Sequence, residues 1–310
     1  MRRHAFLSAA TACVLTSVAS PAPADVATTP LIIGPPTGQD AAGLYYAMQK
    51  GWFQQAGLDI SVMPAAGATA IPGVLGGALQ VAYANVFSLC IAHQKGIAIT
   101  LIAPGVAYAS ATAFNQLLVA GDSPIHAKKD FVGKTVAVPS LGESSLAVQE
   151  WLRQGGVDGT SVHFVEMKPS AMPAALAAKR IDAIVVYDPY LNAAEVLGAR
   201  SVGKPYDQIA VNYLDAAWFT TIPYATAHRD AIVKFAAALN RGQQYYDTHY
   251  DDLIPLISDF TKLAPDTLHK LMPELIPATL TPTLIQPVIE AAVRYGAITS
   301  SFPAKELIFT

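Results

Sequence analysis

The chain has 310 residues, 52% of them hydrophobic and only 14% charged, with a formal net charge of −3. A mildly acidic chain without runs of like charge excludes nucleic acid or an anionic membrane as its main partner, because both select basic patches. The length suits one large domain or two lobes of ordinary size, and two cysteines exclude a disulfide framework.

Arg2 and Arg3 precede an apolar run over residues 5–19, and Ala22, Pro23 and Ala24 supply a small-x-small cleavage pattern. Residues 1–24 therefore read as a signal peptide, with the mature chain starting at Asp25. The apolar run is shorter than the ~20 residues needed to cross a bilayer. Removal of the leader takes away Arg2, Arg3 and Cys13, so the formal charge becomes two units more negative. Cys90 is then the single cysteine; flanked by Leu89 and Ile91, it reads as a small buried hydrophobe rather than a nucleophile.

An apolar strand over 31–33 runs into a Gly/Pro-rich loop ending at Gly38. Asp40 stands in an N-cap position before a helix predicted to reach about residue 56. A strand over 59–63, a loop over 65–69, a helix over 71–79 and a strand over 81–85 follow. This alternation predicts a parallel sheet covered by helices on both faces. A helix over 87–95, an apolar strand over 97–103 and an extended segment over 112–120 lead to a second unit that opens at 133–138.

The second unit repeats the first. Residues 38–88 and 140–190 share a helix ending in tryptophan, a Gly-apolar-Asp turn (Gly57, Leu58, Asp59 and Gly156, Val157, Asp158), a strand closing on Met63 or Met167, a small-residue helix, and a buried strand turning polar at its carboxyl end. The duplication predicts an α/β protein of two lobes: lobe 1 from residues 25–116 and 220–310, and lobe 2 from 117–219. Crossings between them are expected near 114–118 and 218–221. From His228 onward only helical patterns occur (231–250, 251–262, 265–271 and 283–295), read as a scaffold tail that packs on lobe 1 and can reach across to lobe 2.

In parallel sheets ligands bind at the carboxyl ends of strands. The repeat nominates Thr37, Gln39 and Asp40, then Gly67, Ala68 and Thr69, then Asn85 and Ser88 in the first lobe. In the second it nominates Leu141, Gly142, Glu143 and Ser144, then Tyr187, Asp188 and Tyr190, with Phe114 and Trp218 at the crossings. These loops hold hydroxyls, amides and aromatics but no Lys or Arg. Helix amino termini can hold a small anion unaided. Glu143 and Asp188 instead suit a ligand with an amine or ring N–H, unless they only cap helices. The serine pair at 144–145 lacks the second glycine of a nucleophile elbow, and the histidines have no metal-ligand spacing.

The phrase Ala47-Met-Gln-Lys-Gly-Trp-Phe-Gln-Gln-Ala-Gly-Leu-Asp-Ile60 resembles the first-helix signature of substrate-binding proteins of ABC transporters in the nitrate, sulfonate, taurine and thiamine-pyrimidine family. Residues 176–188, with Asp182 in the usual acidic place, are similar to the corresponding segment of the second lobe; Gln80 stands at the equivalent point of the first. The resemblance covers roughly residues 31–250. It implies a type II periplasmic binding protein fold with two crossing segments and hinge closure over a small organic solute. It also implies a monomer in the periplasm, without cofactor, metal or stable membrane insertion, that docks on an ABC permease driven by an ATPase. Ala41 stands where the thiamine-pyrimidine synthases of this family carry a histidine, which disfavours a secreted enzyme. A solute-sensing accessory protein is the other alternative.

Overall fold

The computed structural model describes residues 28–63, 65 and 69–310; the predicted leader and two nominated residues, Gly67 and Ala68, lie outside the described residues. Twelve strands are described: β1 Thr29–Gly34, β2 Leu58–Val62, β3 Val81–Asn85, β4 Ile99–Pro104, β5 Ala107–Ala109, β6 Asn115–Val119, β7 Thr135–Val138, β8 His163–Glu166, β9 Ala183–Tyr187, β10 Arg200–Gly203, β11 Asn212–Leu214 and β12 Ala216–Thr221. They form one sheet of order β2-β1-β3-β12-β4, a second of order β10-β6-β9-β7-β8, and an antiparallel ribbon of β5 with β11.

The duplication is geometric. β1 pairs parallel with β2 and β3, as β7 does with β8 and β9. Each sheet then accepts an antiparallel strand beside its third member, β12 beside β3 and β6 beside β9. β4, buried at all six positions although it ends its sheet, and the interior strand β9, Ala-Ile-Val-Val-Tyr, have the continuous apolar character of strands covered on both faces. The two residues that differ in charge do the same work. Gln80 N–H donates to Ile32 O at 2.9 Å while its Oε1 accepts from Ile32 N–H at 2.8 Å. Asp182 N–H donates to Thr135 O at 3.0 Å while its Oδ2 accepts from Thr135 N–H at 2.8 Å. Both side chains satisfy a strand amide that lacks a ladder partner.

The crossings differ from the sequence expectation. The chain passes between sheets through the β5/β11 ribbon, whereas residues 115–119 and 216–221 are the antiparallel strands on which each crossing arrives. An arriving strand in the middle of a sheet is as extended and apolar as a link, so pattern alone shifts the crossing by a few residues. The predicted first helix is also divided. A 3-10 turn at Gln39–Ala41 leads into a helix at Ala42–Gln49, and Gly51, at φ +68°, separates it from a short turn at Trp52–Gln55. Gly38 holds the N-cap position, so Asp40 does not cap but lies within the first turn.

The tail reaches across, as expected. Its helix Arg229–Thr248 crosses Ala42–Gln49, and its helix Pro282–Arg294 ends with Arg294 Nη2 donating to Gln208 O at 2.6 Å, in the stretch between β10 and β11. Among the described residues, no helix is long and apolar enough to cross a membrane.

Candidate functional site

The carboxyl ends of β3 and β7 come together through Asn85 and Glu143, and the segments after β1 and β9 carry Asp40 and Asp188. Asn85, closing β3, caps the helix Val86–Gln94 by accepting from Ser88 N–H at 3.2 Å. Its Nδ2 donates to Glu143 Oε2 at 2.6 Å. Glu143 opens the helix Glu143–Arg153 after β7, so this bond ties the two αβ halves together across the cleft. The neighbouring Ser144 Oγ shares a hydrogen bond with the Tyr206 hydroxyl at 2.8 Å. Ser145 Oγ donates to Leu141 O at 2.8 Å, fixing the turn that presents Glu143.

On the first half, the Tyr83 hydroxyl hydrogen-bonds the Asp40 carboxyl and accepts from Val106 N–H at 3.0 Å. Burial drives the Asp40 pKa to about 6, with the Tyr83 bond acting in the opposite sense. Gln39 is occupied: its Nε2 donates to Met272 O at 2.9 Å and its Oε1 accepts from the Tyr250 hydroxyl at 2.7 Å. Both partners belong to the tail.

Two carboxyls that sequence reasoning missed complete the site. Asp215 lies between β11 and β12; its carbonyl accepts from Val86 N–H at 2.8 Å, and burial followed by repulsion from Asp40 raises its carboxyl to about 7. Glu274, in the tail, receives the Tyr246 hydroxyl at its own N–H, which donates at 2.9 Å, and its carboxyl is pushed well up by burial, then by Asp40, Asp215 and Asp188. Glu143 is pushed well up by burial and Asp215, against the Asn85 bond. A lone acid in an otherwise apolar stretch, Tyr213 to Phe219, was the available signal for Asp215. Glu274 had none beyond its place next to Pro273, and the reading of the tail as scaffold is corrected here.

The other nominated residues separate by position. Asp188 accepts from Asn192 N–H at 3.3 Å and so caps the following helix, though half-buried and close enough to raise Glu274. Tyr187 and Tyr190 stand edge to face, 6.1 Å between centroids, and burial, then Tyr190, Asp40, Glu274 and Asp215, raise the Tyr187 hydroxyl, which reaches about 12. Phe114 packs on Tyr108, which stacks on Tyr213 at 5.1 Å to line the ribbon with rings. Thr37, Thr69, Ser88, Leu141 and Gly142 are exposed. Trp218 is fully buried behind the sheet, edge-on to Tyr83 and Phe235, and belongs to the core. Cys90 is buried and its thiol is pushed up to about 12, leaving an inert side chain. Among the described residues no cluster of three metal-ligating side chains occurs.

Two αβ halves with facing strand ends, joined by a two-stranded ribbon, define a periplasmic-binding-protein fold. The crystal structure of the aliphatic sulfonate binding protein SsuA from Escherichia coli superposes with a TM-score of 0.72 at 21% identity, over 91% of this chain and 92% of that one. The family model described as NMT1/THI5 like matches residues 39–251, and the chain belongs to that family. The taurine-binding periplasmic protein of E. coli K12 is 27% identical over 137 residues, 44% of this chain and 42% of that protein. The putative aliphatic sulfonates-binding protein of the same strain is 25% identical over 166 residues, 54% of this chain and 51% of that protein. The chain thus spans about half the length of the curated relatives it matches.

Proposed function

We propose that this protein is the periplasmic solute-binding component of an ABC importer. It captures a small organic solute between its two lobes by hinge closure and delivers it to a membrane permease driven by an ATPase. The observation that carries this reading is the Asn85–Glu143 bond, which latches one half to the other at the strand ends, while the β5/β11 ribbon carries the chain between them. Two crossing segments of this kind are where hinge closure around a ligand takes place. The relatives that bind taurine and sulfonates support the transport role, and the Ala22-Pro-Ala24 pattern supports export. We take the lobes to follow the two sheets, with boundaries in the ribbon, and the protein to act as a monomer without cofactor.

Native mass spectrometry of the purified protein is expected to show a retained small molecule. Small-angle scattering of stripped protein should show a smaller radius of gyration once a low-molecular-weight cell extract is added. The absence of both a retained mass and a compaction with the unfractionated extract would sink the receptor reading, and product formation from the added solutes would replace it with an enzyme.

A further inference from the structure

Four carboxyl groups from four separate stretches of chain lie around the joined strand ends: Glu143 and Asp215 are linked through Asn85 and Val86, and Asp40 and Glu274 through their neighbours Gln39 and Met272. Three of their oxygens, Glu143 Oε1, Asp215 Oδ1 and Glu274 Oε2, are buried without a hydrogen-bond partner. Glu143 is only 8% exposed, and its other oxygen is already taken by Asn85. Among the described residues, none of the four takes part in an ion pair. Each of these unpaired acceptors costs free energy unless something supplies a donor. A cation bearing N–H groups supplies those donors and the opposite charge together, whereas an anion would add negative charge beside four acids.

Resting on the receptor reading above, we infer that the captured solute is an organic cation, an ammonium, amidinium or protonated ring nitrogen whose N–H groups bond Glu143 Oε1 and Asp215 Oδ1 with Glu274 beside them. Charge-assisted hydrogen bonds to carboxylates are the strong kind, and a planar amidinium matches two such acceptors at once. Tyr187 and Tyr190, edge to face at the end of β9 on the opposite half, supply aromatic rings suited to the same charge. In this respect the chain parts from relatives whose names refer to sulfonates.

The test uses a low-molecular-weight cell extract split by ion exchange at neutral pH into cationic, anionic and uncharged or zwitterionic fractions. Each fraction is added to the stripped full-length protein at pH 8, and the thermal midpoint is read. The cationic fraction is expected to raise the midpoint and the other two to leave it unchanged. Glu143→Gln and Asp215→Asn should each weaken the apparent affinity for that fraction roughly tenfold or more. They should fold, because each removes an unsatisfied buried acid, and circular dichroism checks this. Asp59→Asn, which removes an exposed carboxyl on β2, should behave as the parent does. A midpoint raised by the anionic or the uncharged fraction instead overturns the cation assignment and leaves the receptor reading standing. A cationic fraction that acts equally on Glu143→Gln and Asp215→Asn overturns the assigned acceptors. If neither the fractions nor the unfractionated extract acts, both readings fall.

Discussion

Tyr83 shows how single residues set the chemistry of this cleft. Its hydroxyl accepts from Val106 N–H and bonds Asp40, and its ring stands 5.3 Å from that of Trp218. Space for it exists only because position 105 is glycine: a Cβ there would lie 2.4 Å from Tyr83 Cε2 and 2.7 Å from Ala216 O. Tyr83→Phe should leave the Val106 amide unsatisfied and cost about 1 to 3 kcal/mol in chemical denaturation. It should also move the Asp40 titration above about 6, since the hydroxyl is what opposes burial there. Carboxyl NMR shifts against pH would check this, and an unmoved titration would remove Tyr83 from the account. At this scale the sequence is a partial guide. Asp40, Asn85 and Glu143 could be nominated because they end strands or open helices in a repeat. Asp215 and Glu274 could not, because what makes them matter is the folding of a ribbon and a tail onto the same cleft.

At the scale of elements, the repeat dictates the sheets and glycine dictates how closely the tail can approach. The helices Ala42–Gln49 and Arg229–Thr248 touch backbone to backbone, since a Cβ on Gly242 would fall 2.0 Å from Gly43 O and one on Gly43 would fall 2.8 Å from Gln243 N. Gln243 Nε2 continues the contact by donating to Pro104 O at 2.9 Å, next to the ribbon. Gly242→Ala must separate the two helices, so it should cost at least about 3 kcal/mol even though alanine favours the helix itself by about 1 kcal/mol. A midpoint unchanged in denaturant would show that the helices can slide apart freely. The order of strands was readable from the sequence because a duplicated apolar pattern implies a duplicated sheet. The crossing points were not, because β6 and β12 are central antiparallel strands whose composition matches that of a buried link. The role of the tail was hidden for a related reason: helical periodicity reveals which face is buried, not what lies against it.

For the whole molecule, the cleft carboxyls make stability a function of pH with a definite sign. Burial raises Asp40 from 3.8 to about 6 and Asp215 from 3.8 to about 7, and it pushes Glu143 and Glu274 well above 4.5. An acid whose folded pKa is raised binds its proton more tightly in the folded state. Its contribution is therefore fully present below its unfolded value near 4 and lost as pH rises through the folded value. The ligand-free protein should melt highest at mildly acidic pH and lose on the order of a few kcal/mol between about pH 4 and pH 7. The loss should be visible as a falling thermal midpoint across that window. Four like charges in one volume also repel the two halves, so the ligand-free form should expand over the same range in small-angle scattering even though ionisation strengthens the Asn85–Glu143 bond. Asp215→Asn combined with Glu143→Gln should flatten both curves. A profile equally steep in this double variant would place the titrating groups outside the cleft. A bound cation neutralises the same charges, so the liganded protein should keep its midpoint and its compact radius up to pH 8, and the gap between liganded and free curves should widen as pH rises.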